Sequence, residues 1–386
     1  MEIKLKRLFW LGLILKLMVS FLTDHDDIWF IWSIPANFFG HINQIGTYYP
    51  PLAYIFYGLL SPFYFLALRY GGWVLRLPYL AFDSWILFLL LRLVDYKQRE
   101  KTLILWWFNP VVIFSIYAMG HVEIIQAALV ILSIYLIKKR QLISGLAFSA
   151  AIAFKTMPII ALLPITLALK KDWQGRLKWF LGSLVLPVGL GVIFWLVTRA
   201  DLVNSYYPRI VSRQLEFNLR PDVILMWLSI LAGGILYLFI IWISSKRRIE
   251  TQLDYAEIIM VSLTAMFIAN PANLIHRFVL ISPILVYVLG KNNWSSKWIW
   301  VFSLLLLLGY VYTWPVQWGL LRNWYVVAPE KLALRELVAP WIKYEHLALM
   351  FQTTSSLILL WISWKIFKVN NVIVSLDVYF RRFHRC

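Results

Sequence analysis

Apolar runs long enough to cross a bilayer, about 20 residues each, alternate along this chain with short polar breaks. They fall at about residues 8–22, 75–94, 102–118, 123–137, 179–197, 222–243, 254–269, 274–290, 297–314 and 346–367. A further run, 142–169, carries Lys155-Thr156-Met157-Pro158 near its middle. A proline there stops a helix, and the residue before it is pushed out of helical geometry. Two short spans are therefore expected, with Lys155 near their turn. The run 51–68 starts with Pro50-Pro51, is interrupted by Ser61-Pro62 and ends in Arg69-Tyr70-Gly71-Gly72. These breaks predict a juxtamembrane or re-entrant helix rather than a crossing. The fold expected is all-α: a transmembrane bundle of about twelve spans in one membrane domain over residues 1–386, without a repeat of fixed period.

Composition agrees with the pattern. Of 386 residues, 61% are hydrophobic and 15% are charged, against roughly 45–50% and 25% in a soluble domain. Lipid must supply part of the solvent. The net charge of +18 raises nucleic acid as a partner, but Lys and Arg lie in short clusters between apolar runs, not along one soluble face. No nucleic-acid partner is expected. Such clusters set topology through retention of basic residues in the cytoplasm. The clusters 97–101, 138–140, 170–178, 246–248 and 291–297, the C-terminal tail and the N-terminus all fall on one side if 51–68 does not cross. Both termini are then expected in the cytoplasm of a multi-pass protein, in a prokaryotic plasma membrane given the compact loops. The single cysteine, Cys386, excludes an intrachain disulfide.

The opposite, outer side collects polar groups that need a reason to be there. The first outer loop, 23–72, holds Asp24, His25, Asp26 and Asp27, then Tyr49-Pro50-Pro51. The turn at 119–122 is followed by Glu123 and contains His121; Lys155 marks the next turn. The segment 198–221 carries Arg209, Arg213 and Arg220, and His276-Arg277 follow the turn at 270–273. Positive charge kept outside against the topology rule points to an anionic ligand, and a guanidinium binds phosphate oxygens through a planar fork. Carboxylates beside such cations suit a site that handles a lipid phosphate. The same groups also fit plainer roles: Asp24 to Asp27 as helix caps, the arginines as headgroup anchors, His121 and Glu123 as a satisfied polar turn.

A series of motifs, taken in order, resembles the membrane glycosyltransferases of the GT-C class. They are Asp24-His25-Asp26-Asp27 after the first span, Tyr49-Pro50-Pro51-Leu52, and Arg76-Leu77-Pro78 followed by Asp83. Phe108-Asn109-Pro110 and Met119-Gly120-His121-Val122-Glu123, with Lys155-Thr156-Met157-Pro158, then resemble the Asn-Pro, Gly-x-x-Asp/Glu and Lys-x-x-Pro pattern of the polyprenyl-phosphate-mannose-dependent branch. That branch includes the first mannosyltransferase of GPI-anchor assembly and bacterial relatives. The resemblance covers about residues 8–170; residues 171–386 match only in hydropathy. The acidic motif departs from a clean Asp-x-Asp, so which carboxylate is the key one stays open.

The resemblance implies a hexosyltransferase, with mannose the expected sugar. A polyprenyl-phosphate-linked sugar would be the donor, and a glycan or lipid-linked molecule the acceptor on the outer side. Inverting displacement needs a base for the acceptor hydroxyl, and Asp27 or Asp26, with Asp24 behind them, are the expected choices. Lys155, Arg209, Arg213, Arg220, His276 and Arg277 are expected at the donor phosphate. His121, Glu123 and Tyr49 are expected to support the acceptor or the site. Asp24, His25, Asp26, Asp27, His121 and Glu123 also include ligand types for Mg²⁺ or Mn²⁺. Their spacing matches no tight metal motif, which favours a site without metal and leaves Mg²⁺ or Mn²⁺ open. The alternatives are a transporter or flippase of lipid-linked saccharides, for which the one broken helix lacks a partner in the other half, and a polymerase.

Overall fold

The computed structural model describes residues 3–23, 28–29, 31–33, 50–169, 173–198, 223–269, 275–292, 295, 297–313 and 344–369. Among these the chain is helical, and the only β contact is an isolated bridge between Leu169 and Ile249. The first helix, α1, is Ile3–Leu22. Next come α2 (Pro51–Leu59) and α3 (Ser61–Tyr70). Their axes bend by 57° at the break, where Pro62 denies α3 a backbone donor, as the prolines of this run foreshadow. Gly71, at φ 103°, then reverses the chain into a 3₁₀ turn, Gly72–Arg76, and α4 (Leu77–Leu93). A left-handed residue of this kind is cheap only for glycine.

Helix α5 (Arg99–Trp107) stops at Phe108. Asn109 then caps a new turn, its side chain accepting from the Val111 and Val112 amides at 3.0 and 3.4 Å, with Pro110 in the first helical position. The turn widens into a π-helix, Ile113–Ala118. After it come α6 (Glu123–Leu136) and α7 (Gln141–Phe154). Pro158 fixes the end of α7, because its ring would clash with the carbonyl four residues back, that of Phe154. Lys155 is accordingly extended, at φ −158° and ψ 131°. A 3₁₀ turn, Met157–Ala161, leads into α8 (Leu162–Ala168). The broken span expected over 142–169 is thus present.

The second half adds α9 (Trp173–Thr198), α10 (Val223–Lys246) and α11 (Gln252–Ala269). A 3₁₀ turn, Ile275–Val279, precedes α12 (Ser282–Lys291), and α13 (Lys297–Thr313) and α14 (Tyr344–Val369) complete the chain. Helix α11 opens with a reciprocal cap: the Asp254 amide donates to Thr251 Oγ1, and the Thr251 amide donates to Asp254 Oδ2. Serine and tyrosine hydroxyls bind helices across the bundle, as Ser133 of α6 meets Ser144 of α7 at 3.0 Å and Tyr255 of α11 at 2.8 Å.

Each expected run contains helix, but the count of about twelve spans does not carry over directly. Five single helical stretches among the described residues are long and apolar enough to cross, and a sixth if the bent α2–α3 pair is one span. The difference has a local cause. The break at Lys155 to Pro158 and the 3₁₀ turn at 275–279 leave shorter apolar helices, among them Gln141–Phe154, Met157–Ala168 and Ser282–Lys291.

Contacts sort the bundle into two ends. At one end Lys4 pairs with Glu100 at 2.6 Å and Lys291 with Asp95 at 3.0 Å. Gln252 donates to the Tyr135 carbonyl at 2.7 Å, and the Ile249 amide to that of Ala168 at 2.8 Å. Arg247 grips Asp254 and Glu257, each at 2.6 Å, while Asn292 reaches Glu257 at 3.2 Å. Burial alone would lower the Arg247 pKa, but Glu257 and Asp254 together raise it above its ordinary value. The N-terminus and the basic breaks therefore share one end, as charge parity requires. The opposite end gathers the turns at 118–123, 155–158 and 275–279.

Candidate active site

Three turns build this site. The first follows the π-helix. The amides of Met119, Gly120 and His121 turn back to the carbonyls of Phe114, Ile116 and Ser115, and Gly120 is left-handed at φ 80°. π-Segments of this kind recur at functional positions because they re-aim the residues after them. Here they aim His121 and Glu123, the latter the first residue of α6. The second turn is the proline break that frees Lys155. The third is Ile275–Val279, with His276 and Arg277.

The side chains converge. The Lys155 ammonium pairs with Glu123 Oε1, and His276 Nε2 lies 3.6 Å from the same oxygen. The His121 and His276 rings stack at 3.7 Å with 22° between their planes. Arg277 is close enough to feel the Glu123 charge. One turn along α6, Gln126 donates to the Lys155 carbonyl, and to that of Ala151 at 3.1 Å. The first turn of α6 thus holds Lys155 at both its backbone and its head. Glu123 is wholly buried, whereas the Lys155 side chain keeps 19% exposure. Glu123 Oε2 and His276 Nδ1 are buried and have no hydrogen-bond partner among the described residues.

An aromatic shelf adjoins Glu123. Trp32 donates to the Tyr79 hydroxyl at 3.1 Å, and Tyr57 and Tyr79 share a bond of 2.9 Å. Tyr79 feels the charges of both Glu123 and Arg76. Arg76, itself buried, donates to the Ala118 carbonyl at 2.9 Å and to that of Ser20 at 3.5 Å. It ties the end of α1 to the end of the π-helix.

Five residues expected at the site are therefore brought together: His121, Glu123, Lys155, His276 and Arg277. Asp24, Asp26, Asp27, Tyr49, Arg209, Arg213 and Arg220 lie outside the described residues. The residues flanking the acidic motif are described. Thr23 Oγ1 donates to the Tyr117 carbonyl at 3.1 Å. Ile28 packs so tightly on Gly120 that a Cβ there would stand 2.5 Å from it. Both flanks rest on the turn that carries His121 and Glu123.

Two polar residues within spans were not read as a pair from sequence. Lys16, in the first span, bonds Asp83 of α4 at 2.6 Å, and both side chains are fully buried. The signal was available: one cation in the middle of one apolar run and one carboxylate in another must meet or be expelled. Gln126, which holds the Lys155 backbone, carried no such signal.

His121, Glu123 and His276 also offer ligand atoms within 4.8 Å of one another, and imidazole with carboxylate suits Zn²⁺ or Mn²⁺. The ring geometry does not. A metal sits near the plane of each imidazole it binds, and two stacked, nearly parallel rings offer no nearby point lying in both planes. Lys155 already neutralises the only carboxylate of the group. The arrangement is better suited to an anion, for which lysine, arginine and two histidines around one carboxylate leave an excess of donors.

Fold and site together define a multi-pass helical membrane protein with a buried, cation-rich cluster at one end of the bundle. Residues 116–208 match the protein family described as "Mannosyltransferase (PIG-M)", a stretch that contains His121, Glu123 and Lys155. The chain is 36% identical over 141 residues to a "GPI mannosyltransferase 1" of Kluyveromyces lactis, covering 35% of this chain and 33% of that protein. It is 32% identical over 133 residues to the "GPI mannosyltransferase 1" of Eremothecium gossypii, covering 33% and 32%. The matches span about a third of the length of these curated relatives. No solved structure matches.

Proposed function

We propose that this protein is a membrane mannosyltransferase that takes its sugar from a polyprenyl-phosphate carrier. The observation that carries the reading is the cluster of Lys155, His276 and Arg277 around Glu123, built partly from the segment matching the mannosyltransferase family. An acceptor hydroxyl attacks the anomeric carbon from the face opposite the phosphate. The bond from that carbon to the phosphate oxygen breaks, and the configuration inverts. Charge develops on the leaving phosphate, where placed cations lower the barrier most. Lys155 and Arg277 take that role; His276, which burial and the neighbouring His121, Lys155 and Arg277 hold neutral, donates a hydrogen bond, with Arg209, Arg213 and Arg220 as further donors. The resemblance assigns the base to the first loop, to Asp27 or Asp26 with Asp24 behind them. His121 and Tyr49 support the acceptor. The mechanism needs no metal.

Basic breaks at the opposite end of the bundle favour a cytoplasmic location for both termini, which puts the cluster on the outer face. The test is transfer from radiolabelled polyprenyl-phosphate mannose by membranes carrying the wild type, or Asp26→Asn/Asp27→Asn inserted at equal level. Consumption of the donor by the wild type supports the reading, and loss in the variant supports a first-loop role. If the wild type leaves the donor intact beside a crude glycan acceptor extract, the transferase reading fails, and transport or polymerisation of lipid-linked saccharides takes its place.

A further inference from the structure

Arg76 is a buried cation that the proposed mechanism leaves unused. It is the last residue of the 3₁₀ turn before α4, and it is 1% exposed. A guanidinium in a protein keeps its proton, so its burial places a permanent positive charge inside the bundle. Such a charge is costly unless negative charge stands near it. Two of its bonds go to backbone carbonyls, that of Ala118 at 2.9 Å and that of Ser20 at 3.5 Å. A neutral amide could serve those carbonyls, so the choice of an arginine calls for a reason.

The reason lies in what the carbonyls belong to. In the turn that ends the π-helix, Tyr117, Ala118 and Gly120 each receive a group from elsewhere. The Tyr117 carbonyl accepts from Thr23, the Ala118 carbonyl accepts from Arg76, and Gly120 lies against Ile28. Thr23 and Ile28 are the residues on either side of Asp24-His25-Asp26-Asp27. Both ends of the acidic segment are thus anchored on one turn, and the carbonyl that Arg76 holds stands between the two anchors. The second acceptor, Ser20, is one helical turn before Thr23 on α1. Tyr79, one turn beyond Arg76, accepts from Trp32, which follows Ile28 by one helical turn. The start of α4 therefore holds the chain before the acids and after them. The same turn carries His121 and Glu123, and Tyr79 feels the charges of both Arg76 and Glu123.

We infer that Arg76 is the positioning residue of the first-loop base. Its bonds pin the end of α1 to the turn after the π-helix, and its charge favours carboxylates in the segment anchored on either side of it. This rests on the transferase reading above, with its base among Asp24, Asp26 and Asp27. Arg76 acts through that segment and not on the donor phosphate, which belongs to the cations around Glu123. Its loss should therefore slow the proton transfer and leave donor binding as it is.

The inference is tested on the purified full-length protein in lipid nanodiscs, by transfer from radiolabelled polyprenyl-phosphate mannose over a donor series, with melting followed in parallel. Misplacing a general base forfeits much of its contribution, so Arg76→Met is expected to cut kcat about a hundredfold, with donor KM within about twofold of the wild type. Arg76→Lys keeps the charge and one bond to a carbonyl, and should recover about tenfold of that loss. Arg76→Gln keeps a donor without the charge, and should recover less than about threefold. A role in the fold alone would lower kcat only as far as the folded fraction falls, and would not separate Lys from Gln. Arg76→Met is also placed in two backgrounds. On the residual rate of Asp26→Asn/Asp27→Asn it should cost less than about threefold, whereas with Lys155→Met the two losses should multiply. Wild-type kcat in Arg76→Met, a raised donor KM with kcat kept, or full multiplication with Asp26→Asn/Asp27→Asn overturns the inference and leaves the transferase reading standing. If Arg76→Met fails to fold, equal rates for Arg76→Lys and Arg76→Gln overturn it. A wild type that transfers no sugar, or a fully active Asp26→Asn/Asp27→Asn, removes the underlying reading and the inference with it.

Discussion

Lys16 and Asp83 permit the most quantitative prediction. Both side chains have zero exposure, and their charged atoms are 2.6 Å apart. Asp83 Oδ2 also accepts from the Tyr117 hydroxyl at 2.5 Å, and the Lys16 ammonium sits 3.2 Å above the Trp107 ring. Replacing Lys16 with Met keeps the volume and removes the charge. Asp83 then stays buried with one tyrosine hydroxyl as its partner. Breaking a buried pair from one side costs about 3–5 kcal/mol, roughly two to three and a half orders of magnitude in the folding equilibrium. Lys16→Met/Asp83→Asn removes both charges and keeps an acceptor for Tyr117. It should recover more than half of that loss. The assay is reversible unfolding in detergent micelles of the wild type, both single variants and the double variant. A coupling energy below about 0.5 kcal/mol in that cycle would refute the reasoning and mean that lipid or water reaches the pair. The pair joins α1 to α4, and α1 carries Thr23 to the site, so transfer should fall in step with stability.

Two further outcomes follow from the site. Gly120→Ala places a Cβ on a left-handed backbone, at about 1–2 kcal/mol, and 2.5 Å from the Ile28 Cβ and Cδ1; melting and transfer should both drop, and adding Ile28→Ala should relieve only part of the clash, since it keeps the Cβ, and none of the strain. Lys155→Met should cut transfer at least a hundredfold by removing a cation from the leaving group. Lys155→Arg should restore part of it, as a fall in kcat with donor KM near that of the wild type, read from transfer rates over a donor series.

What could be read in advance follows the range of the forces involved. Breaks were legible because proline and glycine act locally: Pro158 ends α7 at Phe154 whatever surrounds it, and Pro62 bends the α2–α3 run. Which breaks share an end of the bundle was legible too, since basic clusters report topology one break at a time. What stayed hidden was contact. Glu123 and Lys155 are 32 residues apart, and nothing in either segment says that one turn of α6 will grip the other at two points. Helix regularity was hidden as well: the run from 102 to 118 belongs to one stretch long enough to cross, yet Asn109 caps a new turn inside it and its last residues form a π-helix. A hydropathy profile averages over such breaks, because it sees side chains and not backbone hydrogen bonds.

The two buried ion pairs show why a carboxylate next to a lysine is not in itself a site. Lys16–Asp83 and Lys155–Glu123 have the same chemistry, and in each one carboxylate oxygen lacks a partner among the described residues. They differ in access. Lys16 lies within a helix that runs through the bundle, roofed by Trp107, and neither partner is exposed. No anion can reach it without unpacking α1, where even a Cβ on Gly12 would collide with the same indole at 2.1 Å. Lys155 stands on a broken turn at the bundle's end, and its side chain keeps contact with the exterior while Glu123 has none. A cation that is to meet an incoming phosphate needs this access. Lys155–Glu123 has that access and Lys16–Asp83 does not, which favours a role for the first in the proposed chemistry and for the second in the fold.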